Sequence, residues 1–292
     1  MTRRSPSAAT VALTALAVAA CAAAPPKTLV DPFPLRFPLV EVGALEIEGH
    51  VVGQPRAHDG VLTFATDDGF VTAVVIPSRA VLWRRPGQAE AGGTILQTAL
   101  ACGGPGPAGP DTPLLRVEGD RLRAFDAEGG MIWEFAADGR ITAEPSVSSG
   151  RVYFGTASRT FYCLKAETGK AKWRRRLQGA PLQRAVVQDR TVVVPALNSV
   201  VYFLSARGGS ILSWETVPSR VVYELAPAGP VVLVSSASPT VVALDPRTGK
   251  RVGQYEAPGP LVAGAVWTPP YVVAAVEDPD TGLQRLVFLR SR

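Results

Sequence analysis

Gly150-Arg151-Val152-Tyr153-Phe154-Gly155-Thr156-Ala157-Ser158, followed after two residues by Phe161-Tyr162-Cys163-Leu164-Lys165-Ala166-Glu167-Thr168-Gly169-Lys170-Ala171-Lys172-Trp173, decides how this chain folds. The first run is strand-like and closes in small polar residues that favour a turn. The second is another strand, punctuated by Thr168-Gly169, and the third opens at Trp173. Three antiparallel strands are therefore laid out in order. The frame returns at Leu122-Arg123-Ala124-Phe125-Asp126, continuing to Trp133, and at Val241-Val242-Ala243-Leu244-Asp245-Pro246-Arg247-Thr248-Gly249-Lys250. Weaker copies precede Trp83 and Trp214. The period is about 40 residues, which marks a propeller or solenoid rather than a single-core domain.

Working outward, the linker between units, such as Ala180-Pro181-Leu182-Gln183-Arg184-Ala185-Val186-Val187, supplies a fourth strand facing a central channel. Four antiparallel strands per unit, arranged radially, make a propeller blade. Inner-strand candidates near His50, Leu96, Thr142, Leu182, Val222 and Leu261 give about six blades. The fold class expected is thus all-β, a β-propeller of four-stranded antiparallel blades. The last unit ends after Arg285-Leu286-Val287-Phe288-Leu289, one strand short, and residues 42–49 have the alternation to complete it. An N-terminal strand in the last blade would close the ring and remove exposed sheet edges. The Gly/Pro stretch at 103–113 reads as a loop inserted in one repeat. Trp83, Trp133, Trp173 and Trp214 are expected at equivalent places, packing between neighbouring blades.

The N-terminal residues carry a different signal. Arg3 and Arg4 precede an uncharged stretch at 8–20, the pattern of a secretory signal peptide. It ends in Leu16-Ala17-Val18-Ala19-Ala20-Cys21, which looks like a bacterial lipobox with Cys21 as the lipidated residue. Acyl chains there would anchor the protein without a transmembrane helix, and Ala22 in place of Asp points to the outer membrane. Pro25, Pro26, Pro32, Pro34 and Pro38 favour an extended tether. The domain plan is a signal peptide at 1–20, lipidated Cys21 and a Pro-rich tether at 21–38, and the propeller at 39–292.

A strand ending in Gly, a polar turn, an apolar strand, the Ala-x-Thr-Gly-Lys turn and then Trp together resemble the PQQ-like repeat, over residues 42–292. With a lipobox and tether, the chain is similar to the BamB-type lipoproteins of that family, which act in outer-membrane β-barrel assembly and use no cofactor. Those resemble eight-bladed rings, whereas this chain has room for about six. The resemblance implies a non-catalytic, periplasm-facing, monomeric scaffold whose partners are envelope proteins, barrel-assembly components among them. The family's quinoprotein dehydrogenases supply the alternative, a domain that binds PQQ or another small ligand in the channel.

The sequence offers that alternative little chemistry. Cys102 and Cys163 are not adjacent, so the vicinal pair of the quinoprotein enzymes is missing. They are read as two buried thiols, with a disulfide as the other option. His50 and His58, the two histidines, have no third ligand, and Asp67-Asp68-Gly69 and Asp278-Pro279-Asp280-Thr281-Gly282 suit hairpin turns better than calcium. No catalytic, metal or cofactor residues are assigned. Arg3 and Arg4 account for two of the +5 formal charges, and the mild remainder does not argue for nucleic acid. The densest basic run, Lys170, Lys172, Arg174, Arg175 and Arg176, is the candidate partner surface for an acidic protein or lipid headgroups.

Overall fold

Forty-residue periodicity in the sequence becomes a series of small antiparallel sheets. The structure, a computed structural model, describes residues 35–87, 113–126 and 128–292. Cys21, most of the tether, the inner strand expected near Leu96, the Gly/Pro insertion and Cys102 lie outside the described residues. All regular elements among the described residues are strands, in agreement with the all-β expectation.

In chain order, β1 (Leu39–Glu46) precedes a four-stranded sheet of β2 (Val51–His58), β3 (Val61–Thr66), β4 (Phe70–Val75) and β5 (Ala80–Pro86). A three-stranded sheet follows: β6 (Leu114–Glu118), β7 (Arg121–Phe125) and β8 (Met131–Ala136). The next four-stranded sheet contains β9 (Ser146–Ser148), β10 (Arg151–Gly155), β11 (Thr160–Lys165) and β12 (Ala171–Arg176). Then come β13 (Val186–Gln188), β14 (Thr191–Ala196), β15 (Val200–Ser205) and β16 (Ile211–Thr216). Their successors are β17 (Ala226–Ala228), β18 (Val231–Ser235), β19 (Thr240–Asp245) and β20 (Lys250–Glu256). The last sheet holds β21 (Val266–Thr268), β22 (Tyr271–Glu277) and β23 (Gln284–Ser291), with β1 paired antiparallel to β23 as its fourth strand. These are β-propeller blades: short meanders whose first strands β9, β13, β17, β21 and β2 neighbour one another in turn.

Middle strands carry the core because both of their faces are covered by neighbouring blades. Val192, Val193 and Val194 are fully buried, as are Val231–Ser235 and their partners on β19. Such strands read as continuous apolar runs instead of an alternation. Outer strands alternate, as in β12 and β16, since one face meets a neighbour and the other meets solvent. The first strands are only three residues long in four sheets and begin later than the sequence suggests. Before them, Ile141, Pro181 and Leu261 make single bridges to Thr156, Ala196 and Val276.

A register shift recurs between the last two strands of five sheets: at Ala73/Val74, Ala124/Phe125, Cys163/Leu164, Phe203/Leu204 and Ala243/Leu244. Two outer-strand residues oppose one inner residue there, which re-aims the side chain that follows. The re-aimed residues are Trp83, Trp133, Trp173, Ser213 and Gly253. Trp214 is therefore not equivalent to the other tryptophans, contrary to the sequence expectation. It pairs with Tyr202, one residue beyond the re-aimed position, and a one-residue slip sends a side chain to the opposite face.

At Gly253 the packing site is filled from far away in the chain. A Cβ on Gly253 would fall 2.1 Å from Phe37 Cγ, so the Phe37 ring occupies the space that an outer-strand side chain would otherwise take. Phe37 also packs against the core formed by β18, β19, β22 and β23. Gly253→Ala is expected to cost about 1–3 kcal/mol through overpacking, and adding Phe37→Ala should recover part of that loss. Denaturant midpoints of the two single variants and the double variant measure the coupling.

Candidate functional site

Three groups of residues merit a site reading: the inter-blade tryptophans, the polar side chains on the inner segments, and the basic outer strand β12.

The tryptophan site is built from a turn and a ring. Trp133 is 8% exposed and donates its indole N–H to the Ala166 carbonyl at 2.7 Å. A Cβ on Gly169 would lie 2.7 Å from this indole ring. Trp173 repeats the arrangement one blade on, donating to the Ala206 carbonyl at 3.1 Å with its ring against Gly209. Both glycines have φ in the left-handed region, +66° and +69°, so the turn and the close approach each require glycine. Trp83 is half-buried, with the Arg85 guanidinium 5.4 Å from its ring centroid. Trp214 is 65% exposed, and Ser213 takes its place against Gly249.

Inner segments tie successive blades through side-chain donors to backbone carbonyls. Thr142 Oγ1 donates to Pro181, Gln183 Nε2 to Val222 at 2.8 Å, and Tyr223 Oη to Leu261 at 2.6 Å. Gln54 bonds both the N–H and the carbonyl of Gly264. Arg56 pairs with Glu224, and Arg184 lies 3.7 Å from Glu144. These contacts were not anticipated from the sequence, although the spacing of Thr142, Gln183 and Tyr223 by about one repeat carries a signal for them. Gln54, Thr142, Gln183 and Tyr223 on the inner segments are thus engaged with a neighbouring blade.

His50 precedes β2 and donates its backbone N–H to the Asp67 carboxylate, while His58 ends the same strand beside Asp59. They lie at opposite ends of one strand. Asp68 accepts from the Thr66 hydroxyl and pairs with Arg84, and Asp278 accepts from the N–H groups of Asp280 and Thr281. Both carboxyls are held below their ordinary pKa, Asp68 chiefly by Thr66 and Asp278 by those backbone amides. Among the described residues, no three His, Cys, Asp or Glu side chains converge as a metal site. Cys163 is buried, and burial pushes its thiol up, as it pushes neighbouring Tyr153 up to about 12. Its pairing with Cys102 falls outside the described residues. Among the described residues no helix is long and apolar enough to cross a membrane.

The basic run divides by strand alternation. Trp173 and Arg175 face the next blade, where Arg175 Nε donates to the Gly209 carbonyl at 2.7 Å. Lys172, Arg174 and Arg176 are exposed, and Lys170 lies in the exposed turn before the strand. Arg174 stands beside Asp138 and Tyr162.

Residues 118–279 match the family described as outer membrane protein assembly factor BamB, which is more than half of the chain. The chain belongs to the BamB family. Among solved structures, BamB from Moraxella catarrhalis is 17% identical, with 85% of this chain and 63% of that chain covered and a TM-score of 0.47. A computationally designed protein is 16% identical, with 82% of this chain and 70% of that chain covered and a TM-score of 0.49. Raptor from Chaetomium thermophilum is 10% identical, with 86% of this chain and 29% of that chain covered and a TM-score of 0.64, a likeness of fold alone. The chain thus spans under two thirds of the Moraxella BamB chain. A comparison with curated protein sequences finds no match.

In this BamB-family chain the environment of Asp138 has a direct consequence for stability. Burial alone would raise the Asp138 carboxyl, but hydroxyl donors from Thr160 and Thr156 outweigh it and hold the group below its ordinary value. A depressed carboxylate contributes stability above its unfolded pKa and loses it as pH falls through the folded one. The stability gap between wild type and Asp138→Asn should therefore be largest near pH 6 and shrink as pH falls below the ordinary Asp value of about 3.9. Urea midpoints across that range check this.

Proposed function

We propose that this protein is a non-catalytic, lipid-anchored scaffold that faces the periplasm and binds other envelope proteins during outer-membrane protein assembly. Membership of the BamB family is the observation that carries this reading. The disposition of polar groups supports it. Gln54, Thr142, Gln183 and Tyr223 on the inner segments bond neighbouring blades, which favours a structural channel side over a ligand cradle. The outer strands, by contrast, present Leu82, Met131, Leu212 and Trp214 to solvent, each more than half exposed. Exposed apolar residues on strand edges suit partner contact by loops and backbone pairing.

The ring in this proposal has six blades, completed by β1 in the last one, with Cys21 as the lipidated anchor and outer-membrane placement. Pairing of β1 with β23 supports such a closure, since it leaves the final sheet with four strands.

Crosslinking in intact envelopes with the full-length protein, followed by pull-down, tests the function. Recovery of barrel-assembly components in near-stoichiometric yield is expected. Reproducible recovery of other envelope proteins without them would contradict the assembly role, and PQQ bound to the purified protein would favour a quinone-binding domain.

A further inference from the structure

Strand β12 is the outermost strand of its sheet, so one backbone edge has no partner strand among the described residues. Its face bearing Lys172, Arg174 and Arg176 differs from the other arginine-rich surfaces. Arg84 is matched by Glu48 and Asp68, while Arg121 and Arg123 share Glu134, with Glu118 beside Arg123. No ion pair involves Lys172, Arg174 or Arg176 among the described residues; the pairs nearest in sequence are Lys165 with Glu167 and Arg184 with Glu144. The Asp138 carboxylate stands beside Arg174, but its two oxygens already accept the Thr156 and Thr160 hydroxyls. Among the described residues, these three cations therefore lack ion-pair partners of their own.

Beside the row lies a cleft of about 530 Å³ between blades, lined by Phe135, Asp138, Tyr162, Lys172 and Arg174 among others. Its aromatic wall is fixed. Phe135 meets Tyr162 edge-on at 5.4 Å, and Tyr162 stacks on Phe154 at 5.2 Å. The volume is ample for an aromatic side chain.

We infer that this edge binds an extended acidic segment of a partner protein, with carboxylates along Lys172, Arg174 and Arg176 and one aromatic side chain in the cleft. Arg174 and Arg176 are alternate residues of the regular part of β12 and repeat at ~6.8 Å, so acidic residues at every second position match that pair, while Lys172 at the bulge extends the positive surface beyond it. Edge pairing supplies backbone hydrogen bonds, the charge row fixes orientation, and the cleft adds specificity. A bilayer surface would meet the cations but has no fixed side chain for an aromatic cleft, which favours a protein segment. This inference rests on the scaffold reading and names one contact within it.

The probe is a fluorescent decapeptide of alternating Glu and Thr carrying one Phe, titrated against the full-length protein. Binding should weaken about tenfold in Lys172→Glu/Arg176→Glu, and by a similar factor when the peptide Phe becomes Ser. Ala171→Phe, which encroaches on the cleft, should abolish the difference between the two peptides. An unchanged thermal midpoint separates these effects from misfolding. Equal binding by wild type and the charge-reversed variant overturns the inference. So does a protein that ignores the peptide but binds phosphatidylglycerol vesicles through Lys172 and Arg176. If the peptide fails while envelope partners are still recovered by crosslinking, this surface is wrong and the scaffold reading stands.

Discussion

An indole laid over a glycine turn is the contact on which the propeller depends. Each blade is too thin to bury its own faces, so its stability comes from the blade beside it. Trp133 over Gly169 and Trp173 over Gly209 join a third strand to the next blade's turn, with the indole N–H satisfied by the Ala166 or Ala206 carbonyl. The bulge before each tryptophan aims it, and the absent Cβ on each glycine lets the ring settle against the backbone. A large apolar surface and one hydrogen bond are secured together, which is the combination that suits a buried tryptophan.

Later repeats keep the position and change its occupant. Ser213 stands against Gly249, which frees Trp214 to face solvent, and Gly253 leaves room for Phe37 from the N-terminal segment. The second exchange links the beginning of the described chain to the blade preceding the last one, while β1 pairs with β23 beside it. The inner side uses a different device, hydrogen bonds from Thr142, Gln183 and Tyr223 to carbonyls about one repeat away. Apolar locks outside and polar ties inside leave the solvent-facing outer strands as the surface on which blades differ most. β12 carries cations there, whereas β16 carries Leu212 and Trp214.

Much of this was legible in the sequence because a repeat states its frame several times. The strands around Tyr153, Tyr162 and Trp173 lie where their alternation and turn residues put them. Trp214 misled because a tryptophan near the right place was read as the same tryptophan. The spacing from the turn glycine held the answer: Trp133 and Trp173 follow Gly129 and Gly169 by four residues, and Trp214 follows Gly209 by five. The role of Phe37 was not legible, since nothing local connects it with Gly253, more than two hundred residues away. Splitting Arg175 from Lys172, Arg174 and Arg176 follows from strand alternation, but the open cleft beside them emerges only when two blades are packed together.

The most direct test of the inter-blade contact is equilibrium unfolding of Trp173→Ala beside Trp214→Ala. Loss of a packed indole should cost about 3–5 kcal/mol at Trp173, whereas removal of the exposed Trp214 should change stability by no more than about 0.5 kcal/mol. Equal losses at the two positions would contradict the account, because they would mean that the indole on the Gly209 turn bears no more of the packing than one left in solvent.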